Sequence, residues 1–301
     1  MKRNTRRQRS HAASIEPLET RALLSNVTAN FTSGGDLIVT GDNGDNTVLV
    51  QEMGTTIEVT GLLGTNINGS TSPFVIQENE IPGDIRVSLK GGDDKFGVKK
   101  MEILGGLNIK GGAGADDIFV GADADVAGNV VINTARGSDL VAMGAGDMGN
   151  LTINTGGGDD AVSIVGPNVI GDLKVSTGGG DDGVVIWDAD GLGTVTVGDD
   201  LSVKTGGGND NLWVTVEVVD KVNVAMGGGN DVLLIEDSSL GSKAVLNGGG
   251  GNEDAVVPWN LTSASPITYP GFEVQRPEDV PNSLFENAVT DAINEFLIFF
   301  P

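Results

Sequence analysis

Eight aspartates recur along this chain at a spacing that could place their carboxylates in one row. They are Asp94, Asp116, Asp139, Asp160, Asp182, Asp210, Asp231 and Asp254. The seven steps between them cover 160 residues, about 23 residues a step. Aligned carboxylates repel one another, so such a row needs compensation. A calcium ion, which takes six to eight oxygen ligands, could supply it, and so could turn N–H groups that the side chains cap.

Each aspartate follows a glycine-rich turn, and apolar residues alternate with polar ones on both sides of that turn. Clear copies occupy residues 150–164, 172–186, 200–214 and 221–235, and weaker copies lie at 90–94, 111–116, 135–139 and 249–254. Alternation with a period of two predicts a strand, a turn and a second strand in each copy. Glycine allows positive φ and close backbone approach at the turn. Asn209 and Asn230 directly precede two of the aspartates, so a carboxylate is optional at that position.

The repeat predicts an all-β fold, a right-handed parallel β-helix of about nine to ten coils over residues 27–257. A repeat of this length is too short for a propeller blade and lacks helical periodicity, whereas it suits one coil of a solenoid. Right-handedness follows from the general preference of parallel crossovers. Aromatic residues make up only 4% of the chain, so a core of stacked Val, Ile and Leu is expected.

The turns resemble the RTX nonapeptide, Gly-Gly-x-Gly-x-Asp-x-apolar-x. Residues 111–119 fit that pattern throughout, while Thr155, Thr177, Thr205 and Met226 replace its first glycine in other copies. The resemblance implies that calcium lies between turns of neighbouring coils, with the eight aspartates as metal ligands. Coils of the RTX family are shorter and carry two motifs each, whereas each coil here carries one, so only one corner could bind metal.

The basic N-terminal segment, residues 1–26, lacks the repeat, which predicts an export or anchor segment outside the fold. Residues 15–24 resemble the LEPR-XLL segment found near the start of large repetitive bacterial surface proteins, with Ile15 in place of its leucine. The resemblance implies a secreted or cell-surface location in a bacterium. Arg6 and Arg7 are followed by no apolar region of the kind that a twin-arginine signal has.

Residues 258–301 are predicted to form a linker, 258–282, and a C-terminal amphipathic helix, 283–300. Leu284, Phe285, Ala288, Val289, Ala292, Ile293, Phe296 and Leu297 recur there at helical spacing. The helix is expected to cap the solenoid end or to cover an outward apolar stripe marked by Phe119, Val185, Trp213 and Leu234.

Charge and composition exclude several classes of function. The formal net charge is −24, and outside residues 1–25 it is −28, so nucleic acid is not an expected partner. The chain has no cysteine, and its only histidine is His11 in the basic segment, which leaves no base for a Ser-His or Cys-His site. No apolar run is long enough to cross a membrane as a helix.

These observations predict a calcium-binding extracellular or cell-surface solenoid with a structural or adhesive role, and not an enzyme. Calcium ions are the expected partners, with envelope or matrix polysaccharide or other surface proteins as further ones. The alternatives are a polysaccharide lyase or glycosidase, or a carbohydrate-binding module, by analogy with other parallel β-helices. The step between Asp182 and Asp210 is longer than the others. The extra residues form either a plain surface insertion or a sugar- or ion-binding loop with Trp187, Asp188 and Asp190.

Overall fold

The computed structural model describes residues 25–77, 82–144, 146–187, 194–251 and 253–274. Within these ranges the chain forms 30 β-strands and no helix. The strands are β1 (Asn26–Phe31), β2 (Leu37–Thr40), β3 (Thr47–Glu52), β4 (Thr56–Gly61), β5 (Asn66–Ile67), β6 (Phe74–Gln77), β7 (Ile85–Gly91), β8 (Lys95–Lys99), β9 (Met101–Ile103), β10 (Leu107–Ala113), β11 (Asp117–Val120), β12 (Ala124–Val126), β13 (Val130–Arg136), β14 (Leu140–Met143), β15 (Asp147–Met148), β16 (Leu151–Asn154), β17 (Ala161–Val165), β18 (Asn168–Val169), β19 (Leu173–Gly179), β20 (Gly183–Trp187), β21 (Val195–Val197), β22 (Leu201–Gly207), β23 (Asn211–Val214), β24 (Val216–Val218), β25 (Lys221–Gly228), β26 (Val232–Glu236), β27 (Ser239–Leu240), β28 (Lys243–Gly249), β29 (Ala255–Trp259) and β30 (Glu273–Val274).

Strands that are three apart in chain order lie side by side, which gives a parallel β-solenoid with three faces. Face 1 contains the parallel series β7, β10, β13, β16, β19, β22, β25 and β28. Face 2 contains β8, β11, β14, β17, β20, β23, β26 and β29. Face 3 is made of the pair β9–β12 and the series β15, β18, β21, β24 and β27. The predicted parallel β-helix is confirmed, with about eight turns.

The first strands pair differently, and they account for the lower number of turns. β1 is antiparallel to β2, β4 is antiparallel to β3, and β6 is antiparallel to β4. A tight turn at Gly54, with Met53 N–H donating to the Thr56 carbonyl at 2.7 Å, reverses the chain between β3 and β4. The spacing of apolar residues indicates that a segment is a strand but not in which direction the strand runs. The sequence prediction therefore counted these strands as parallel coils.

The core consists of apolar side chains stacked from coil to coil. On face 1, one column of paired residues is fully enclosed: Ile85, Leu107, Val130, Leu151, Leu173, Leu201, Val222 and Ala244. Phe96 is the largest fully buried side chain of the described residues. The core is therefore a thin aliphatic column, as the low aromatic content predicts.

The chain continues to follow the solenoid after β29, in a stretch that the sequence predicts as a linker. Thr262 bridges to Ser239, Thr268 bridges to Val245, and β30 adds to β29, all in the parallel sense. Leu261, Ile267, Tyr269 and Phe272 pack against the core in this last turn. These residues close the C-terminal end of the column. The predicted helix 283–300 and residues 1–24 lie outside the described residues.

Candidate functional site at the glycine–aspartate corner

All eight predicted aspartates lie at the corner where the chain passes from face 1 to face 2. Each follows a face 1 strand and its glycines and directly precedes the next face 2 strand. Their relative exposure is 0–3%, so the corner holds a row of buried carboxyl groups. Because one repeat forms one coil, aspartates at nearly equal spacing in the sequence lie one above the other in the structure.

The carboxyl groups form a continuous set of hydrogen bonds, the inner ladder. Oδ1 of each aspartate accepts the backbone N–H of the aspartate in the preceding coil. For example, Asp160 N–H donates to Asp182 Oδ1 at 2.8 Å, and Asp182 N–H donates to Asp210 Oδ1 at 2.9 Å. At the N-terminal end, Asn46 N–H donates to Asp94 Oδ1 at 2.7 Å. These side chains therefore cap the turns of their neighbours.

In most coils the residue just before the aspartate forms an outer ladder that runs in the opposite direction, and Ala115 interrupts it because its side chain cannot accept a hydrogen bond. Here the backbone N–H donates to a side chain of the preceding coil: Asp181 N–H to Asp159 Oδ1 at 2.9 Å, and Asn209 N–H to Asp181 Oδ1 at 2.7 Å. These residues face solvent. An Asn oxygen can accept the same bond, as Asn209 does from Asn230 N–H at 2.9 Å. This explains why Asp and Asn interchange at the outer position.

The second oxygen of most inner carboxyl groups is buried without a partner. Oδ2 is enclosed in Asp94, Asp116, Asp139, Asp182, Asp210 and Asp231, and no hydrogen bond of normal length and angle reaches it. A threonine hydroxyl five residues earlier still lies close enough to the carboxyl groups of Asp139, Asp182 and Asp210 to lower their pKa, whereas Asp94, Asp116 and Asp231 have no such hydroxyl. Asp160 differs because the Thr155 hydroxyl donates to its Oδ2 at 2.6 Å. The equivalent hydroxyl of Thr177 donates to the Thr205 carbonyl at 3.1 Å, and its proximity to the Asp182 carboxyl group lowers the pKa of Asp182. A buried carboxylate oxygen without a partner is costly, so each of these positions favours either a proton or a cation.

Burial shifts the acid–base equilibrium of the row. It raises the pKa of Asp116 to about 7, and those of Asp94, Asp160, Asp182 and Asp231 to about 6. Burial also raises the pKa of Asp139 and of Asp210. Neighbouring carboxylates add a smaller contribution, as Asp160 and Asp210 do for Asp182. The ionised row is therefore opposed first by desolvation and then by mutual repulsion.

The glycine two residues before the aspartate is required by the close approach of the coils. Seven copies have glycine there with φ between +111° and +140°: Gly92, Gly114, Gly137, Gly158, Gly180, Gly208 and Gly229. A Cβ on Gly208 would overlap the carbonyl oxygen of Gly180 in the preceding coil. Both the backbone conformation and the contact therefore exclude a side chain.

We expect Gly208→Ala to lower the free energy of unfolding by at least about 1–3 kcal/mol, the usual cost of a strained backbone position. Gly207→Ala is the matched control, because a Cβ on Gly207 meets nothing within 4 Å and its φ is not positive. Urea unfolding of the two variants measures the difference. Equal stability of the variants would show that the turn can relax around a side chain.

A second polar ladder, at the corner where the chain enters face 1, was not identified from the sequence. Asp172 N–H donates to Asn150 Oδ1 at 2.8 Å, and Asp200 N–H donates to Asp172 Oδ1 at 3.2 Å. Similar bonds join Asp84 to Asp36, Gly106 to Asp84, Asn150 to Asn129, and Lys221 to Asp200. The sequence feature that marks this second ladder is the Asp or Asn that directly precedes the first apolar residue of most repeats.

The candidate metal ligands do not form clusters of three or more side chains around one point. Among the residues that the structure describes, no group of three or more His, Cys, Asp or Glu side chains could hold a metal ion. The stack offers one carboxyl group per coil instead.

At the longer coil, the Trp187 and Trp213 rings lie 5.8 Å apart, and Trp213 Nε1 donates to Glu236 at 2.9 Å. Asp188 and Asp190 lie outside the described residues.

The fold and the corner define a parallel β-solenoid with a stack of buried aspartates. Comparison with known protein families, curated proteins and solved structures finds no match to this chain. Within the described part of the chain, no helix has the length and apolar character needed to cross a membrane.

Proposed function

We propose that this chain is a structural or adhesive module of a bacterial cell surface, a rigid solenoid that binds calcium at its glycine–aspartate corner. The observation that carries the proposal is the row of buried Oδ2 atoms to which no hydrogen bond of normal geometry is made, with not even a neighbouring threonine hydroxyl at Asp94, Asp116 and Asp231. Millimolar calcium outside the cell would compensate their charge at neutral pH, where protons do so only in part.

The donor set of the corner fits calcium in its chemistry. Calcium prefers oxygen ligands, and carboxylates of successive coils together with backbone carbonyls and water are ligands of that kind. Stacked strands lie about 4.8 Å apart, so successive carboxyl groups are close enough to share one ion. The inner ladder occupies Oδ1 with a backbone N–H and leaves Oδ2 for a cation. When bound, the metal would link neighbouring coils.

The repetition of the corner supports a structural role rather than a catalytic one. A glycosidase requires two carboxyl groups in different environments at one place. Here the same hydrogen bond recurs from Asp94 to Asp254. We therefore propose that the protein is not an enzyme, and that residues 1–26 direct it to the surface, where polysaccharide or other surface proteins are its partners.

Calcium should stabilise the metal-stripped protein at pH 8, whereas magnesium should do so poorly because it requires a tighter octahedral site. Ligand binding to the native state adds about 2.7 kcal/mol per site at a hundredfold excess over Kd, so several sites should raise the melting temperature by many degrees. Thermal melting and calorimetric titration of the full chain measure the effect.

Asp182→Asn combined with Asp210→Asn should remove much of this response, because both positions lose a charged ligand. Asp159→Asn combined with Asp181→Asn, on the exposed outer ladder, is the matched control and should retain it. If millimolar calcium gives neither binding heat nor a shift in melting, the carboxyl groups are turn caps alone and calcium binding is rejected.

A further inference from the structure

Face 1 carries most of the positive charge of the described solenoid. Its parallel strands from β7 to β28 contain no acidic residue, and their basic residues are Arg86, Lys90, Lys110, Arg136, Lys174, Lys204, Lys221 and Lys243. Arg86, Lys174 and Lys221 form ion pairs with aspartates of the same chain. The others are exposed and form no ion pair within the described residues. Cations without a counter-ion on a chain of net charge −24 indicate a surface that receives acidic groups from another molecule.

Face 3 has the opposite charge. Its described strands contain Glu102, Asp125, Asp147 and Glu217 and no basic residue. All of these acids are exposed, and none forms an ion pair within the described part of the chain. Glu102 and Asp125 lie side by side in paired strands, where like charges repel. Contact with cations would therefore stabilise this face.

The two charge patterns match coil by coil. We number the coils from β7, so that coil 1 contains β7, β8 and β9, and coil 7 contains β25, β26 and β27. An acid lies on face 3 in coils 1, 2, 3 and 6, and each of these coils also has a face 1 cation that is unpaired within the described chain. The combinations are Lys90 with Glu102, Lys110 with Asp125, Arg136 with Asp147, and Lys204 with Glu217. Two copies side by side with equal coils level would place each acid opposite a cation.

Exposed apolar side chains lie at the corner between face 3 and face 1, which we call the apolar corner. Leu104, Ile170 and Val219 directly follow face 3 strands and are 55%, 63% and 71% exposed. The nearby Asp172 and Asp220 are each paired with a lysine of the same chain, so their charge is offset. Small residues take the apolar position in other coils: Ala127, Gly149, Gly198 and Gly241. Large apolar side chains aligned at one exposed corner favour a contact with another molecule there.

The position of the apolar corner determines how two copies would be oriented. Around each coil, face 3 is followed by the apolar corner and then by face 1. If face 1 of one copy lies on face 3 of a second copy and both chains run in the same direction, the two apolar corners come to the same side of the contact. If the chains run in opposite directions, the corners lie at opposite sides. Only the parallel arrangement brings the apolar corners together, and it also allows equal coils to lie level.

We propose that copies of this chain associate side by side, parallel and in register, through face 1 of one copy and face 3 of the next. Each copy uses two different surfaces, so a pair retains a free face 1 and a free face 3 and can add further copies. The contact involves neither the inner ladder nor calcium. The proposal therefore goes beyond the proposed function and is tested in the absence of metal.

Charge reversal tests the pairing of the two faces. At pH 6 in a metal chelator, at about 0.15 M salt, where net repulsion is screened beyond about 8 Å, the full chain should form assemblies that grow with protein concentration. Lys110→Glu combined with Lys204→Glu should be monomeric, and so should Asp125→Lys combined with Glu217→Lys. An equimolar mixture of the two variants should assemble again, because the reversed face 1 of one is complementary to the reversed face 3 of the other. Sedimentation velocity measures each sample.

Lys174→Glu combined with Lys243→Glu is the matched control, since it makes the same change of net charge in coils without an acidic residue in a face 3 strand. This control should still assemble. An equal loss in the control, or no recovery in the mixture, would overturn the proposal. So would a full chain that stays monomeric up to its solubility limit. If that monomer binds heparin through Lys110 and Lys204, face 1 serves an acidic polymer instead.

A cysteine at the apolar corner tests the orientation, because the natural chain has no cysteine. Ile170→Cys should give covalent dimers with a short thiol-reactive cross-linker, since this residue lies at the same side and level in both copies. Val75→Cys is the control, because Val75 is 45% exposed but lies on β6, away from the corner. Assembled protein in which Ile170→Cys gives no more dimer than Val75→Cys would overturn the parallel, in-register contact.

Discussion

The protein freed of divalent cations should melt at a higher temperature at pH 5 than at pH 8. Five of the inner carboxyl groups have a pKa of about 6 to 7 in the fold, against an ordinary value of 3.8: Asp94, Asp116, Asp160, Asp182 and Asp231. The folded chain therefore binds more protons than the unfolded chain between these values. The stabilisation is complete below about pH 4 and is lost as the pH rises through 6 to 7.

The effect should be large because several groups contribute. One pKa unit corresponds to about 1.4 kcal/mol, and 1 kcal/mol shifts the melting temperature by about 2–4 °C in a domain of this size, so we expect a fall of about 10 °C or more. The exposed pair Arg86–Asp36, which lowers the pKa of Asp36, acts in the opposite direction and only at lower pH.

Calcium should oppose the fall in melting temperature at high pH. It should raise the melting temperature strongly at pH 8, where the carboxyl groups are ionised, and only slightly at pH 5, where protons occupy the same oxygens. Asp116→Asn combined with Asp182→Asn should reduce the pH dependence, while Asp181→Asn should reduce it much less, because Asp181 acts only through its charge on Asp210. A melting temperature in a metal chelator that rises from pH 5 to pH 8 would contradict the protonated ladder.

Asn is expected to fit the inner ladder because an amide is already buried at the end of the row. Asn46 occupies the first position, where its Nδ2 donates to the Gly44 carbonyl at 2.6 Å and to Asp94 Oδ1 at 2.8 Å, while its own Oδ1 is buried without a partner. The Asn variants therefore change charge while retaining an oxygen for the ladder.

Asp182→Ala should destabilise the protein much more than Asp181→Ala, although the two residues are adjacent. Asp182 is 2% exposed, and its loss leaves the buried Asp160 N–H without an acceptor and opens a cavity. We expect a cost of about 2–4 kcal/mol. Asp181 is exposed, and water can replace its bond to Asn209 N–H, so the expected change is within about 0.5 kcal/mol.

Chemical unfolding of both variants in a metal chelator, at pH 5, measures this difference without a contribution from calcium. A similar small loss in both variants would mean that the inner ladder contributes little to stability. The main reason for Asp at these positions would then be calcium binding, so this result bears on the choice between the two interpretations of the row.

The repeat was sufficient to predict the parallel solenoid and the alignment of its aspartates. A short, regular repeat with alternating apolar positions leaves few ways to bury Val, Ile and Leu except in stacked coils. Since one repeat is one coil, equivalent residues such as Asp160 and Asp182 must lie one above the other. The presence of Asn209 and Asn230 before their aspartates indicated that a carboxylate is optional there, and the outer ladder gives the reason, since either side chain offers the accepting oxygen.

Only the tertiary structure decided how these residues are used. The direction in which each side chain reaches depends on the offset between neighbouring coils, so the opposite senses of the inner and outer ladders could not be read from the repeat. Burial of Asp116 and its neighbours, and hence their raised pKa, depends on the coils on both sides. β1 and β2 form a local hairpin, closed by Thr32 N–H donating to the Asp36 carbonyl at 2.9 Å, and the spacing of apolar residues does not distinguish such a hairpin from two parallel coils. Sequence periodicity determined which residues align, while packing determined which of their atoms are satisfied and which are left without a partner.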